Sequence, residues 1–441
     1  MGEARRSRVR LNSRLLPVLV GLMVVLQIIG SYRGWMMVLV ALGGALAVGY
    51  VWARSLAAGL HLTREMRFGW AQVGDRVEER FTLANESPLP ALWVEVADHS
   101  TMPGYDIDRV ATLGGRDNTH WRTRGVCRQR GVFTLGPTTV TSGDPLGIFS
   151  VELAYATSMP FVVMPPVVSL PSIEVASGGR AGEGRPRLNA PERTVSAAAV
   201  REYLPGDSSR WIHWRTTARR DDFYVRLFEG VPAGDWWIVL DVNRDVQAGE
   251  GLDATEEHGV VLAASLADRG LRQGKRVGLA AQGEELAWLP PRRGEGRRWE
   301  ILRALALMRC GDLPLSQLLT RVGPSLGRYA SLIIITPDPG SAWIESLIPL
   351  MRQDIVPTVL LLDRDSFHEE DGAARAPGGS VRQTAGILAA LGVTHHVVTR
   401  DLLDRSEMEP GKRGHWEWRV LGTGHAVAVR KPEETEWEAV V

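Results

Sequence analysis

Two cysteines stand in 441 residues. Cys127 and Cys310 form no spaced pair, which excludes a disulfide framework and a cysteine-based metal site and points to a reducing compartment. Lysine is scarce as well. Lys275, Lys412 and Lys431 are the whole complement, so arginine carries nearly all the positive charge. Net charge is absent: basic and acidic side chains both number 51. No whole-chain field therefore draws the protein to nucleic acid. No G-x-G-x-x-G follows a predicted strand and no Walker A sequence occurs, so no phosphate loop is expected. Finally, no acid occurs between Glu3 and Glu65.

That acid-free segment holds two apolar runs, LLPVLVGLMVVLQIIGSY (15–32) and WMMVLVALGGALAVGYVWA (35–53). Each is close to the roughly 20 residues a bilayer span needs. Arg33 and Gly34 separate them, and one helix through both would be too long, so the expectation is a tight transmembrane hairpin. Arg5, Arg6, Arg8, Arg10 and Arg14 precede the first run; Arg54, Arg64 and Arg67 follow the second. By the positive-inside rule both ends and the rest of the chain are expected in the cytoplasm, on a two-span membrane protein. A cleaved signal peptide would have a shorter apolar region followed by a small-residue cleavage site.

After an N-terminal segment of residues 1–60, residues 61–170 alternate in the strand manner, as in VEERFTLAN (77–85) and GVFTLGPTTVTS (131–142), with frequent turns. This predicts a small β-sandwich. Residues 171–200 are rich in Gly, Arg and Pro and read as a linker. From 231 to 405 fully apolar strands alternate with amphipathic helices: WWIVLDV, RVGLAAQ, SLIIITPD, PTVLLLDR and HHVVTR are the strands. That pattern predicts a parallel, doubly wound α/β sheet. Residues 406–441 form a C-terminal extension with one short strand or loop at 422–431.

Between linker and sheet lies REYLPGDSSRWIHWRTTARR (201–220), followed by an alternating strand at 223–230. Leu204 to Asp207 read as a turn, and Asp207 or Ser208 would cap a helix starting near Arg210. Trp211, Trp214 and Ala218 share one face of that helix; Arg215 and Arg219 share the next. Two readings remain open. In one the tryptophans anchor the helix on the sheet and Asp207, Asp221 and Asp222 pair with arginines. In the other the exposed arginines form a docking surface. Ser208 or Ser209 with His213 has the residue types of a hydrolase, but there is no G-x-S-x-G elbow and no orienting acid. Acids among the arginines weigh against nucleic-acid binding, and His395-His396 reads as strand content.

The order of these segments resembles the family known as domain of unknown function 58. Its pattern is R-x-Y-x-x-G-D-x-x-R-x-I-x-W-x-x-x-A-R followed by a strand ending in E. Arg201, Tyr203, Gly206, Asp207, Arg210, Ile212, Trp214, Ala218, Arg219 and Glu229 match it. The resemblance implies a von Willebrand factor A-like domain and a MoxR-type AAA+ ATPase as partner. It also implies a metal site reading D-x-S-x-S after the first strand. Here those positions read Asp241, Asn243 and Asp245, and the threonine expected near LPPRRGEGRRW (289–299) is missing. Asp241, Asp338 and Asp363 each end a predicted strand, where open parallel sheets bind ligands. Asp241, Asn243, Asp245, Thr336 and Asp338 would offer hard oxygen ligands for Mg²⁺; the same acids also suit helix capping. Two functions are expected from this: a membrane-tethered scaffold or adaptor for a protein partner, or a metal-dependent hydrolase using the strand-end acids.

Overall fold

The computed structural model describes residues 5–66, 69–170, 173–176, 197–203, 212–220, 222–228, 235–327, 330–367, 380–403, 417–420, 426–430 and 438–439. The chain forms two compact units, residues 1–166 with 405–441, and residues 167–404.

The first unit begins with a strand. Residues 5–11, expected to lie in an N-terminal tail, form β1 (Arg5–Leu11). Helices α1 (Leu15–Ile29) and α2 (Arg33–Gly59) follow and pack on each other. At about 1.5 Å per residue they are about 22 and 40 Å long. Helix α2 is long and apolar enough to cross a membrane, and α1 is a shorter apolar helix. Large apolar side chains from Leu15 to Ile29 and from Trp35 to Val51 are exposed. The second helix runs six residues past its expected end because its last turns have a core to pack on. Gly49, Ala53, Leu56 and Gly59 form a buried stripe. A Cβ on Gly59 would lie 2.5 Å from the Ser87 amide nitrogen, so only glycine allows that approach.

Helix α2 passes directly into β2 (Leu60–Met66). Then come β3 (Trp70–Gln72), β4 (Arg76–Asn85), β5 (Ala91–Asp98), β6 (Arg109–Leu113), β7 (Asp117–Val126), β8 (Gly131–Leu135), β9 (Thr138–Gly143), β10 (Phe149–Tyr155) and β11 (Met159–Met164). They form sheets ordered β1-β10-β9-β5-β6 and β3-β11-β8, and β2-β4-β7 lie side by side in a third. Alternate residues of β2 and β4 are buried, as a two-residue period demands. They join one core with Ala53 and Leu56 of α2.

In the second unit, β12 (Ala197–Glu202) pairs antiparallel with β13 (Tyr224–Phe228), and α3 (Trp214–Arg220) lies between them in sequence. The main sheet follows: β14 (Trp236–Leu240), α4 (Thr255–Arg272), β15 (Val277–Gln282), β16 (Leu286–Arg292), α5 (Glu295–Leu307), α6 (Leu315–Val322), β17 (Ser331–Thr336), α7 (Ala342–Glu345), α8 (Leu347–Met351), β18 (Val356–Leu362), α9 (Val381–Ala390) and β19 (Thr394–Val398). Its order is β16-β15-β14-β17-β18-β19, with all pairs parallel except β15-β16. Trp237 and Val239 face a core shared with α6, α7, α8 and α9. On the opposite face Leu240 and Trp236 meet Gly259 and Gly270 of α4. Helices on both faces explain why these strands are apolar throughout.

Part of the expected linker is ordered onto this sheet. The Ala176 amide donates to Thr358 Oγ1 at 3.0 Å, and Ser331 Oγ donates to the Ala176 carbonyl at 2.9 Å. Ile173 is buried, and its carbonyl accepts from Arg269 at 2.8 Å. Near the C-terminus β20 (Glu417–Val420) pairs with β21 (Ala426–Arg430), and β22 (Glu438–Ala439) pairs with β2 of the first unit.

Candidate functional site

Strands β14 and β17 are neighbours, with Leu240 opposite Ile335. Strand order reverses between them, so their carboxyl ends form the switch point of the sheet. The structure brings Asp241, Asn243, Thr336 and Asp338 together there. Asp241 is buried. Its Oδ2 accepts from Thr336 Oγ1 at 2.6 Å, and its Oδ1 from the Asn243 amide at 3.0 Å. Thr336 Oγ1 in turn accepts from the Asp338 amide at 3.0 Å. Asp338 Oδ1 accepts from the Gly340 amide at 2.7 Å. Asn243 Oδ1 accepts from the Asp245 amide at 3.4 Å, while the Asp245 side chain lies at an exposed position. Burial raises the Asp241 pKa from 3.8 to about 6; the bonds from Thr336 and Asn243 pull it down and the Asp338 charge pushes it up.

This donor set does not fit Mg²⁺ well. An octahedral ion needs converging oxygen ligands, but both Asp241 oxygens and one Asp338 oxygen are engaged by the chain's own hydrogen bonds. Among the described residues, no three His, Cys, Asp or Glu side chains are grouped to hold a metal. Asp363 ends β18, and its amide donates to Val398 rather than joining the cluster.

The 201–220 stretch differs from its expected form. Arg201 sits in β12 opposite Val225. Gly206, Asp207 and Arg210 lie outside the described residues, as do Ser208, Ser209, Trp211 and Glu229. The helix starts at Trp214, not near Arg210, and has seven residues. His213 Nδ1 bonds Thr216 Oγ1 at 2.7 Å and accepts from the Thr216 amide at 3.2 Å. Those bonds occupy one ring nitrogen. Thr217 Oγ1 accepts from the Tyr224 amide at 3.1 Å. Among the described residues the two threonines carry side-chain hydrogen bonds of α3, and Trp214 does not anchor it in a core: it is 65% exposed. Phe223 is 56% and Tyr203 38% exposed, and their rings meet edge to face with centroids 6.3 Å apart. Arg215, Arg219 and Arg220 are exposed too. The Arg220 guanidinium lies 5.7 Å from the Tyr224 ring centroid. Exposed aromatic and guanidinium side chains are thus found both on α3 and at the ends of the β12–β13 pair that flanks it.

Another cluster went unnoticed in the sequence. In the β-unit core Arg64 forms a bidentate pair with Glu79 at 2.8 and 2.9 Å and reaches Asp98 at 2.9 Å. Tyr105 donates to Glu79, Ser100 to Asp98, and Thr138 to Asp98 at 2.9 Å. Burial lowers the Arg64 pKa, but hydrogen bonding and charge from Glu79, with Asp98, outweigh it and leave it raised. Burial and the Glu79 charge push Tyr105 far up. The signal was present: Arg64 is in phase with Leu60, Leu62 and Met66, and Glu79 with Val77 and Phe81.

Comparison with known proteins places residues 199–347 in register with a family described as "Protein of unknown function DUF58". The match runs from β12 through the strand-end cluster. The chain is 25% identical over 285 residues to the uncharacterized protein YeaD of Bacillus subtilis, covering 62% of this chain and 69% of that one. It is 29% identical over 109 residues to the uncharacterized protein Rv1480 of Mycobacterium tuberculosis, covering 24% of this chain but only 34% of that protein. An aerotolerance-related membrane protein from Bacteroides fragilis aligns over 38% of this chain and 92% of its own, at 16% identity and a TM-score of 0.27, too low to carry an argument. Residues 199–347 thus match the DUF58 family, and that segment holds both the strand-end cluster and the aromatic–arginine surface.

Proposed function

We propose that this chain is a membrane-tethered cytoplasmic scaffold that binds a protein partner through the α3 surface. The resemblance noted above makes a MoxR-type AAA+ ATPase the partner to test. The observation that carries this reading is the exposure of Trp214, Phe223 and Tyr203, and of Arg215, Arg219 and Arg220, on α3 and the strand ends that flank it. Aromatic residues and arginine are the types enriched at interface hot spots. The antiparallel edge strand β16 and the switch between β14 and β17 support a von Willebrand factor A-like reading of the sheet. Asp241 then stands where that fold's metal motif begins, held by internal hydrogen bonds.

The tether is read as two spans. β1 precedes the helix pair and β10 follows it, yet they pair from Arg5↔Tyr155 to Leu11↔Phe149. A chain that leaves a sheet for the membrane and returns to the same sheet crosses an even number of times. The exposed stretches are short: α1 has 15 residues, and the exposed part of α2 runs from Arg33 to Val51. At about 22 and 28 Å they fall below the roughly 30 Å hydrocarbon thickness, so local thinning or snorkelling completes the crossing. Tyr32, Arg33 and Trp35 at the turn suit the far interface.

Co-purification tests the docking surface. Detergent-solubilised full-length protein should retain a MoxR-type ATPase from the same organism. Trp214→Ala with Phe223→Ala should weaken retention at least about tenfold, since hot-spot truncations cost about 2 kcal/mol or more. Melting temperature should hardly change, because neither side chain is in the core. Full retention by that double variant and by Arg215→Ala with Arg219→Ala would remove the surface from consideration.

A further inference from the structure

We infer that the first unit carries a binding groove for one anionic phospholipid at the root of the helix pair. The inference rests on the membrane-tether reading and adds a ligand to it. The groove has a volume of about 520 Å³ and opens between β1, α2 and Phe149. Ser7, Val9 and Leu11 line one side because alternate residues of a strand share a face. Tyr50 and Arg54, spaced i and i+4 on α2, line the other. Tyr50 also meets Phe149 edge to face, with ring centroids 5.7 Å apart. The walls thus mix apolar side chains with one guanidinium and two hydroxyls.

Three observations favour a phospholipid. First, the charge is right: Arg54 is exposed, and no carboxylate pairs with it among the described residues. Asp144 lies close by but is buried, and it accepts from the Leu146 amide at 2.9 Å and the Phe149 amide at 2.5 Å. Arg6, Arg8 and Arg14 are exposed on neighbouring backbone and add positive potential, whereas Arg10 pairs with Glu152 at 3.2 Å. Second, the depth is right. Val51 is the last large exposed apolar residue of α2. Arg54 lies about 4.5 Å further along the helix axis and Ala58 about 10 Å. Arg54 therefore falls within the headgroup layer, which adds about 5–7 Å outside each face of the hydrocarbon core, and Ala58 lies just beyond it. Third, the mixed lining suits an amphiphile: a phosphate on Arg54 and glycerol and upper acyl carbons along Val9, Leu11 and Phe149. A soluble phosphate would use only the guanidinium.

Native mass spectrometry of the full chain in detergent is the test, with phosphatidylglycerol, phosphatidylcholine and glycerol phosphate as probes. One phosphatidylglycerol should stay bound where phosphatidylcholine does not. Arg54→Ala should weaken it about fivefold or more, the worth of one basic side chain at an anionic surface, and Arg54→Lys should restore part of the loss. Glycerol phosphate should not displace the lipid. Equal binding of both lipids, full binding by Arg54→Ala, or displacement by glycerol phosphate would each overturn the inference. Fractionation of cells reports separately on the tether: a chain that stays with carbonate-washed membranes but shows no lipid preference retains its anchor and loses only this site.

Discussion

Arg64 is 1% exposed and lies between Glu79 and Asp98. Two carboxylates around one guanidinium leave an excess negative charge that hydrogen bonds from Ser100, Tyr105 and Thr138 moderate. Removing one partner from such a buried pair typically costs about 3–5 kcal/mol, while replacing both by apolar groups costs far less. Arg64→Met should therefore destabilise the protein strongly, and Arg64→Met with Glu79→Met should recover part of the loss in denaturant melts, the rest remaining with Asp98, which the double variant leaves without its cation. Additive losses would mean the pair is not coupled. Asp241 governs the other unit in a different way. Its pKa is near 6 folded against 3.8 unfolded, so the folded state holds a proton more tightly across that interval. Its contribution to stability is complete below about pH 3.8 and is lost as pH rises through about 6. The total is on the order of 3 kcal/mol. Asp241→Asn should flatten that part of the stability profile, followed by tryptophan fluorescence between about pH 4 and pH 7. An unchanged slope in the variant would show that Asp241 titrates normally. Cys127 is inert by comparison, its thiol buried and pushed up to about 12.

At the scale of elements, what the sequence made legible was whatever repeats. The apolar runs of β14, β17 and β18 are strands because helices cover both their faces, and unbroken apolarity signals that directly. The strand-end positions of Asp241 and Asp338 followed from the same reading; their adjacency depends on the strand order, which periodicity does not give. Shorter elements escaped. The i, i+3, i+7 spacing of Trp211, Trp214 and Ala218 suggested a buried helix face, but α3 has only seven residues, and such a short helix takes its orientation from its attachments. Here those are the Thr216–His213 and Thr217–Tyr224 hydrogen bonds, which leave Trp214 facing solvent. β1 was hidden by its charge. RRSRVRL alternates correctly for an edge strand, but its arginines also serve the positive-inside pattern. Arg64 and Glu79 were hidden for a related reason: a charge in phase with apolar neighbours reads as an exception until its partner on another strand is known.

For the whole molecule, the decisive feature is that the first unit is built from both ends of the chain, residues 1–166 and 405–441, with the DUF58-matching segment inserted between them. A strand before the helix pair and a strand after it share one sheet, so the tether and the β-unit are one construction. On this reading the turn near Ser31 reaches the far side of the membrane. Thiol labelling of intact cells measures this most directly, in a background with Cys127→Ser and Cys310→Ser. A membrane-impermeant maleimide should modify Ser31→Cys at once, and Asp106→Cys, which is exposed in the β-unit, only after the membrane is permeabilised. Labelling of Asp106→Cys in intact cells, or protection of Ser31→Cys there, would contradict a two-span tether holding both units on the cytoplasmic side.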